Sequence, residues 1–214
     1  MTTRLAVLAL VLAGALTGCA DELASIEILE ICAPPDAGSC GTSGSCAELN
    51  ASPRLWVFTS VGGATNSLGQ FIQINNQLPA NGDPDLYRVN TNDFIGGEYL
   101  LEFRSAIPLP PVTFPANFTI EASSSSTPVV PLIPPSTMAA LSSAMADGSE
   151  ALVVVELRVR GELRDGTEIE SGPFEVAVDV IDANFPIPTC PTPGDVVYAC
   201  PALGQTSDVA CGAP

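Results

Sequence analysis

Between Leu152 and Ile181 the chain alternates apolar and polar residues in two arms around an Asp165-Gly166 pair. In the first arm Val153, Val155, Leu157 and Val159 alternate with Glu156, Arg158, Arg160 and Glu162. In the second, Phe174, Val176, Val178 and Val180 alternate with Glu175 and Asp179. A period of two places one set of side chains on each face of a strand, and Asp-Gly is the strongest short signal for a tight hairpin. A two-residue type I′ turn at Asp165-Gly166 makes the numbers of opposed residues total 331. Leu157 then faces Phe174, Val155 faces Val176 and Val153 faces Val178, so the apolar faces coincide. A shift of one residue would send every one of them to the polar side. The same register opposes Glu156 to Glu175, a repulsive pair within diagonal reach of Arg158. Pro173 marks a place for a bulge.

Similar but weaker patterns predict strands at Arg54–Val61, Leu68–Asn75, Glu98–Ser105, Phe114–Ala122 and Val129–Ile133, with a further one at Ser25–Ile31. Prolines at 108, 110, 111, 115, 128, 131, 134 and 135 suit edge strands and crossings. Ser123 to Ser126 read as a loop tip. One short helix is predicted from Ser136 to Asp147, with Ser136 as N-cap, Gly148 as the stop and Met138, Leu141 and Met145 facing the core. Trp56 reads as a core residue of its strand. Seven or eight strands with turn signals between them give an all-β fold, a single immunoglobulin-like β-sandwich with one short helix. The chain divides into a targeting segment at 1–18, a tether and cysteine-rich cap at 19–50, the sandwich at 51–185 and a cysteine-rich tail at 186–214.

Composition removes many chemistries. The 214 residues carry 24 Asp and Glu against seven basic residues, a formal charge of −17. All seven are arginine; the sequence has no histidine and no lysine. Serine or cysteine nucleophiles activated by histidine, histidine-ligated metals, P-loop lysines and Schiff bases are therefore excluded. Nucleic acid is an unsuitable partner, because its binding depends on cations neutralising phosphates. At 46% hydrophobic residues the chain is nonetheless too apolar for a disordered acidic polymer.

The N-terminus supplies an address. Arg4 precedes a twelve-residue apolar run, Leu5 to Leu16, too short to span a bilayer core that needs about 20 apolar residues. Leu16-Thr17-Gly18-Cys19 follows, and it resembles the lipobox of bacterial lipoproteins. That resemblance implies cleavage before Cys19, acylation of Cys19, and a location in the bacterial cell envelope facing the periplasm or the cell surface. Several acyl chains are needed for lasting attachment. Without Arg4 the mature chain keeps six arginines against 24 carboxylates, a charge near −18. An anionic headgroup surface would repel it, so the anchor must do the holding.

With Cys19 assigned to lipid, six cysteines remain in two clusters, Cys32, Cys40 and Cys46 and then Cys190, Cys200 and Cys211. An exported chain with an even count and no C-x-x-C reads as three disulfides. Three cysteines in each cluster require one or three bridges between the clusters, so at least one joins the N-terminal segment to the tail. On the chain-entropy account a bridge over so long a loop contributes about 5 kcal/mol. Asn90-Thr91-Asn92-Asp93 before a Glu-Tyr strand, Gly166-Thr167-Glu168 with Glu170-Ser171, and the tail rich in Cys and Asp together look similar to lipoproteins of myxobacterial type. That resemblance implies location and fold and carries over no catalytic residue.

Two local chemistries compete with a purely structural reading. Asn81, Asp83 and Asp85 stand at i, i+2 and i+4 like the opening of a calcium loop, although Leu86 and Asn92 occupy the positions where that pattern wants Gly and a bidentate Glu. The alternative is a Pro-containing turn whose Asn and Asp side chains cap their own backbone. A calcium-stiffened surface adhesion module would use the first arrangement. A glycosidase-like hydrolase would need two carboxylates facing one cleft, one with a raised pKa. The expectation is a module without catalytic residues or an obligatory cofactor, held to the membrane by lipid, with a protein or envelope polymer as partner.

Overall fold

The computed structural model describes residues 25–32, 55–185, 196–198 and 210–212. The predicted hairpin is its backbone. Strands β9 (Glu150–Leu163) and β11 (Phe174–Phe185) pair antiparallel, with Leu157 opposite Phe174, Val155 opposite Val176 and Val153 opposite Val178. Val153, Val155, Leu157, Val159, Val176, Val178 and Val180 are all buried, as the alternation requires. The turn differs from the expected one. The Gly166 amide donates to the Leu163 carbonyl and the Leu163 amide to the Thr167 carbonyl, so the loop holds three residues. Gly166, at φ 85°, supplies the left-handed residue that such a loop needs. Strand β10 (Glu168–Glu170) therefore pairs with β9 in a frame one residue off, Glu170 facing Arg160. Gly172 and Pro173 together then span the single residue Arg158, and this bulge restores the expected frame. Two one-residue departures cancel. The Glu156–Glu175 pair is present, and it is relieved on both sides: Arg158 bonds Glu156 at 2.9 Å, and Arg104 pairs with Glu175.

This hairpin sits in the middle of the larger sheet, ordered β3-β2-β11-β9-β5-β6, with β10 attached to β9. Its other strands are β2 (Leu55–Val61), β3 (Ala64–Thr65), β5 (Phe94–Arg104) and β6 (Val112–Ile120). The β2–β11 pair is parallel. The smaller sheet is built on β4 (Leu68–Asn76), which pairs with β1 (Ile26–Cys32), β7 (Ser124–Ser126) and β8 (Val129–Ile133), all antiparallel. Strands β12 (Val196–Tyr198) and β13 (Ala210–Gly212) form a separate pair. Inward side chains of both sheets and of the helix α1 (Pro135–Ala144) meet in one hydrophobic cluster. Burying each such aliphatic side chain contributes about 1.5–3 kcal/mol, which is what holds two half-apolar sheets together. Among the described residues the chain is thus mostly strand with one short helix, the all-β class expected.

Several boundaries move. Strand β5 begins four residues before the expected Glu98, because Phe94 is fully buried and pairs with Ile120 and Leu163. The polar Asn92-Asp93 and Gly96-Gly97 on either side had hidden that periodicity. Ser124–Ser126, expected as a loop tip, pair with Ile74 to Asn76. The helix starts at Pro135 with Pro134 as N-cap and no side-chain cap, in place of Ser136, since proline's fixed φ already suits the first helical turn. It ends at Ala144, short of Asp147. Met138 and Leu141 are buried and Met145 packs against the core. Trp56 points to the outward face at 41% exposure, correcting its assignment to the core; Val57 takes the inward position. Strand β1, drawn in the tether segment, contributes Ile26, Ile28 and Ile31 to the core.

Candidate functional site

The connection between β4 and β5, residues 77–93, has no apolar periodicity and is held together by polar side chains. Its base is Asn76, fully buried, whose amide donates to the carbonyls of Asn92 (2.7 Å) and Ile120 (3.2 Å) while its oxygen accepts from the Leu78 amide. Asp93, also buried, accepts from the Asn90 side chain (2.6 Å) and the Ala122 amide (3.1 Å), and pairs with Arg164 at 2.8 Å. Above this base Asn81 donates to Thr91 Oγ1 and Asn92 Oδ1 and accepts from the Thr91 amide. The neck closes so tightly at Gly82 that a Cβ there would lie 2.8 Å from the Asn90 amide nitrogen, which only glycine tolerates. Past the neck, Asp83 and Arg88 exchange backbone hydrogen bonds at 2.8 Å in both directions. Asp83 Oδ1 accepts from the amides of Asp85 and Leu86, capping the single 3-10 turn Pro84–Leu86.

Those bonds locate the three calcium candidates. Asn81, Asp83 and Asp85 share one loop, but Asn81 and Asp83 spend side-chain oxygens on loop amides, the self-capping turn weighed against the metal. Among the described residues no group of three or more Asp, Glu or Cys is arranged to hold a metal ion. What the loop presents outward is apolar: Leu86 at 70% exposure, Tyr87 at 95% and Val89 at 66%. Tyr87 sits at φ 54°, a left-handed conformation that an aromatic residue adopts only when its surroundings impose it. A rigid base thus carries a three-residue apolar tip with Arg88 inside it.

Carboxylates gather instead on the outward face of the larger sheet. Arg158 bonds both Glu156 and Glu170, Arg160 bonds Glu170 at 3.1 Å, and Glu98 lies 3.8 Å from Arg160. These hydrogen bonds to Glu156 and Glu170 push the Arg158 guanidinium above its ordinary value. On this face Glu156 lies opposite both Glu102 and Glu175, and the row is relieved by Arg158 bonding Glu156 and Arg104 pairing with Glu175. Toward the far end of β5, Arg104, Ile107, Met145, Leu152 and Val154 line a cavity of about 680 Å³. Burial pushes the Tyr99 phenol well above its usual range.

No protein family, curated protein or solved structure matches the chain. Function has to be argued from its own residues.

Of the sequence candidates, Cys19, Cys40, Cys46, Cys190 and Cys200 lie outside the described residues, as does the targeting segment; Cys32 closes β1 and Cys211 lies in β13. The tip residues Leu86, Tyr87 and Val89 and the buried anchors Asn76 and Asp93 escaped the sequence reading. A signal for the tip was present: a Leu-Tyr pair inside a stretch otherwise made of Asn, Asp, Gly and Pro has no sheet face to bury it.

Proposed function

We propose that this protein is a lipid-anchored bacterial envelope module without catalytic activity, acylated at Cys19 and working by binding or by structural support. Its fold reads as an immunoglobulin-like sandwich, two sheets over one core, stapled by three disulfides among Cys32, Cys40, Cys46, Cys190, Cys200 and Cys211. In support of that framework, Cys32 is fully buried and disulfide-bonded. The observation that carries the binding reading is the exposed Leu86-Tyr87-Arg88-Val89 tip on a polar-bonded base. Exposed apolar clusters on rigid loops mark recognition sites, because presenting them costs little further ordering on contact. The acidic surface favours solubility and cationic partners.

Cell fractionation tests the anchor. The wild-type chain should sediment with membranes and incorporate labelled palmitate, and Cys19→Ser should do neither. Equal membrane recovery of the two would overturn the reading. Protease shaving of intact cells, read at an epitope near Pro214 against a periplasmic control, then assigns the side: digestion puts the domain outside the cell, and protection puts it in the periplasm.

A further inference from the structure

We infer that the Leu86-Tyr87-Arg88-Val89 tip inserts into the headgroup region of the bilayer to which the chain is tethered, so that the domain is held at two points. This rests on the reading of Cys19 as the acylated residue. Strand β1 enters the fold beside the loop: Ile26 pairs with Asn76, and the Gln77 amide donates to the Ser25 carbonyl at 2.9 Å. The loop begins at that same Gln77. From Cys19 to Ser25 the chain has six steps, which extend at most about 20 Å at the 3.3–3.6 Å per residue that backbone geometry allows. The end of the molecule that carries residues 77–93 therefore cannot lie far from the lipid, whereas the end with α1 and the β2–β3 turn is a sheet length away.

The chemistry of the tip fits that neighbour. Tyrosine prefers the water–lipid interface, leucine and valine the acyl boundary just below it, and arginine reaches phosphate while its stem stays apolar. Asp83 and Asp85 lie in the loop and Glu27 pairs with Asn75 beside its base, so headgroups of no net charge suit this end better than anionic ones. A protein pocket would accept the same side chains, but nothing ties such a pocket to the tether.

The test uses the full-length lipidated protein reconstituted in phosphatidylethanolamine–phosphatidylcholine vesicles. Tyr87→Trp is introduced with Trp56→Phe, which leaves a single indole at position 87. Chain-brominated lipids should quench its emission about twofold with a shift to the blue, because an interfacial indole lies within contact of the upper acyl carbons. Intact mass measured on the same sample reports acylation. An acylated protein whose indole emits as in water, unquenched, overturns the insertion and leaves the anchor standing. A chain without acyl groups overturns both. Circular dichroism matching the wild type establishes that the paired substitution preserved the fold.

Discussion

The β9–β11 hairpin and the 77–93 loop specify their shapes by opposite means. The hairpin is fixed by seven buried aliphatic positions that must share a face, and it tolerates a turn one residue longer than expected because the Gly172-Pro173 bulge restores the frame. The loop has almost no buried apolar residue of its own. Its shape comes from Asn76, Asn81, Asn90, Asn92 and Asp93, each bonded to the backbone or to another of the set. Apolar burial is non-directional, so it sets register and leaves turn details loose. Hydrogen bonds are directional, so a few of them define one conformation and lose it if one partner is removed.

The largest loss is expected in the hairpin. Leu157→Ala empties a fully buried site facing Phe174 and Leu101, and should cost roughly 3 kcal/mol of unfolding free energy in denaturant titration. Its effect should be global, with the loop no more exposed to hydrogen exchange than the strands. A loss under 1 kcal/mol would mean that the apolar face does not set the register. Asn76→Ala comes next, at about 2 kcal/mol, since it strands the Asn92 and Ile120 carbonyls and the Leu78 amide in a buried place. Here the exchange should be uneven, with amides of residues 77–93 losing protection before those of β9 and β11. Uniform loss would contradict a loop held by its own polar base.

That contrast also explains what the sequence revealed. Period-two alternation is visible in one dimension, so the hairpin arms were legible with their inward faces, and β8 and most of β2 and β4 as strands. The turn class was not, because Asp-Gly serves a three-residue loop as well as a two-residue one. The start of β5 was hidden by Gly96-Gly97, where the β5–β6 register slips. Trp56 was misplaced because an alternation of large side chains leaves the choice of inward face to the partner strand, and β2 lies parallel to β11. In the loop, Asn81, Asp83 and Asp85 drew a metal reading, while Asn81 Oδ1 accepts from the Thr91 amide ten positions away and Asp83 Oδ1 from the amides of Asp85 and Leu86. Spacing cannot show which backbone amides will converge on a side chain.

Charge contributes less at the base of the loop. Asp93→Asn keeps an acceptor for Asn90 and Ala122 but removes the charge facing Arg164, which is half exposed. The expected loss is about 0.5 kcal/mol, falling as salt is raised. A cost near that of Asn76→Ala would show that the ion pair rather than the hydrogen bonds holds the base of the loop.

The smallest effect is expected at Asp165, where the hairpin borrows the loop's device. Its Oδ1 accepts from the Thr167 amide at 2.9 Å, the same i to i+2 bond that Asp83 makes to Asp85. The Thr167 side chain, and then its backbone amide, hold the Asp165 carboxyl below its ordinary value. A carboxyl with a lower pKa folded than unfolded adds stability above its unfolded pKa, about 3.9, and loses it as pH falls through the folded value. The melting-temperature gap between wild type and Asp165→Ala should therefore be constant near neutrality and narrow below about pH 4. A gap that persists undiminished in strong acid would mean that Asp165 acts through turn geometry alone. The Asp165–Thr167 bond would then define the turn with no charge dependence, in contrast to the Asp93–Arg164 pair at the base of the 77–93 loop.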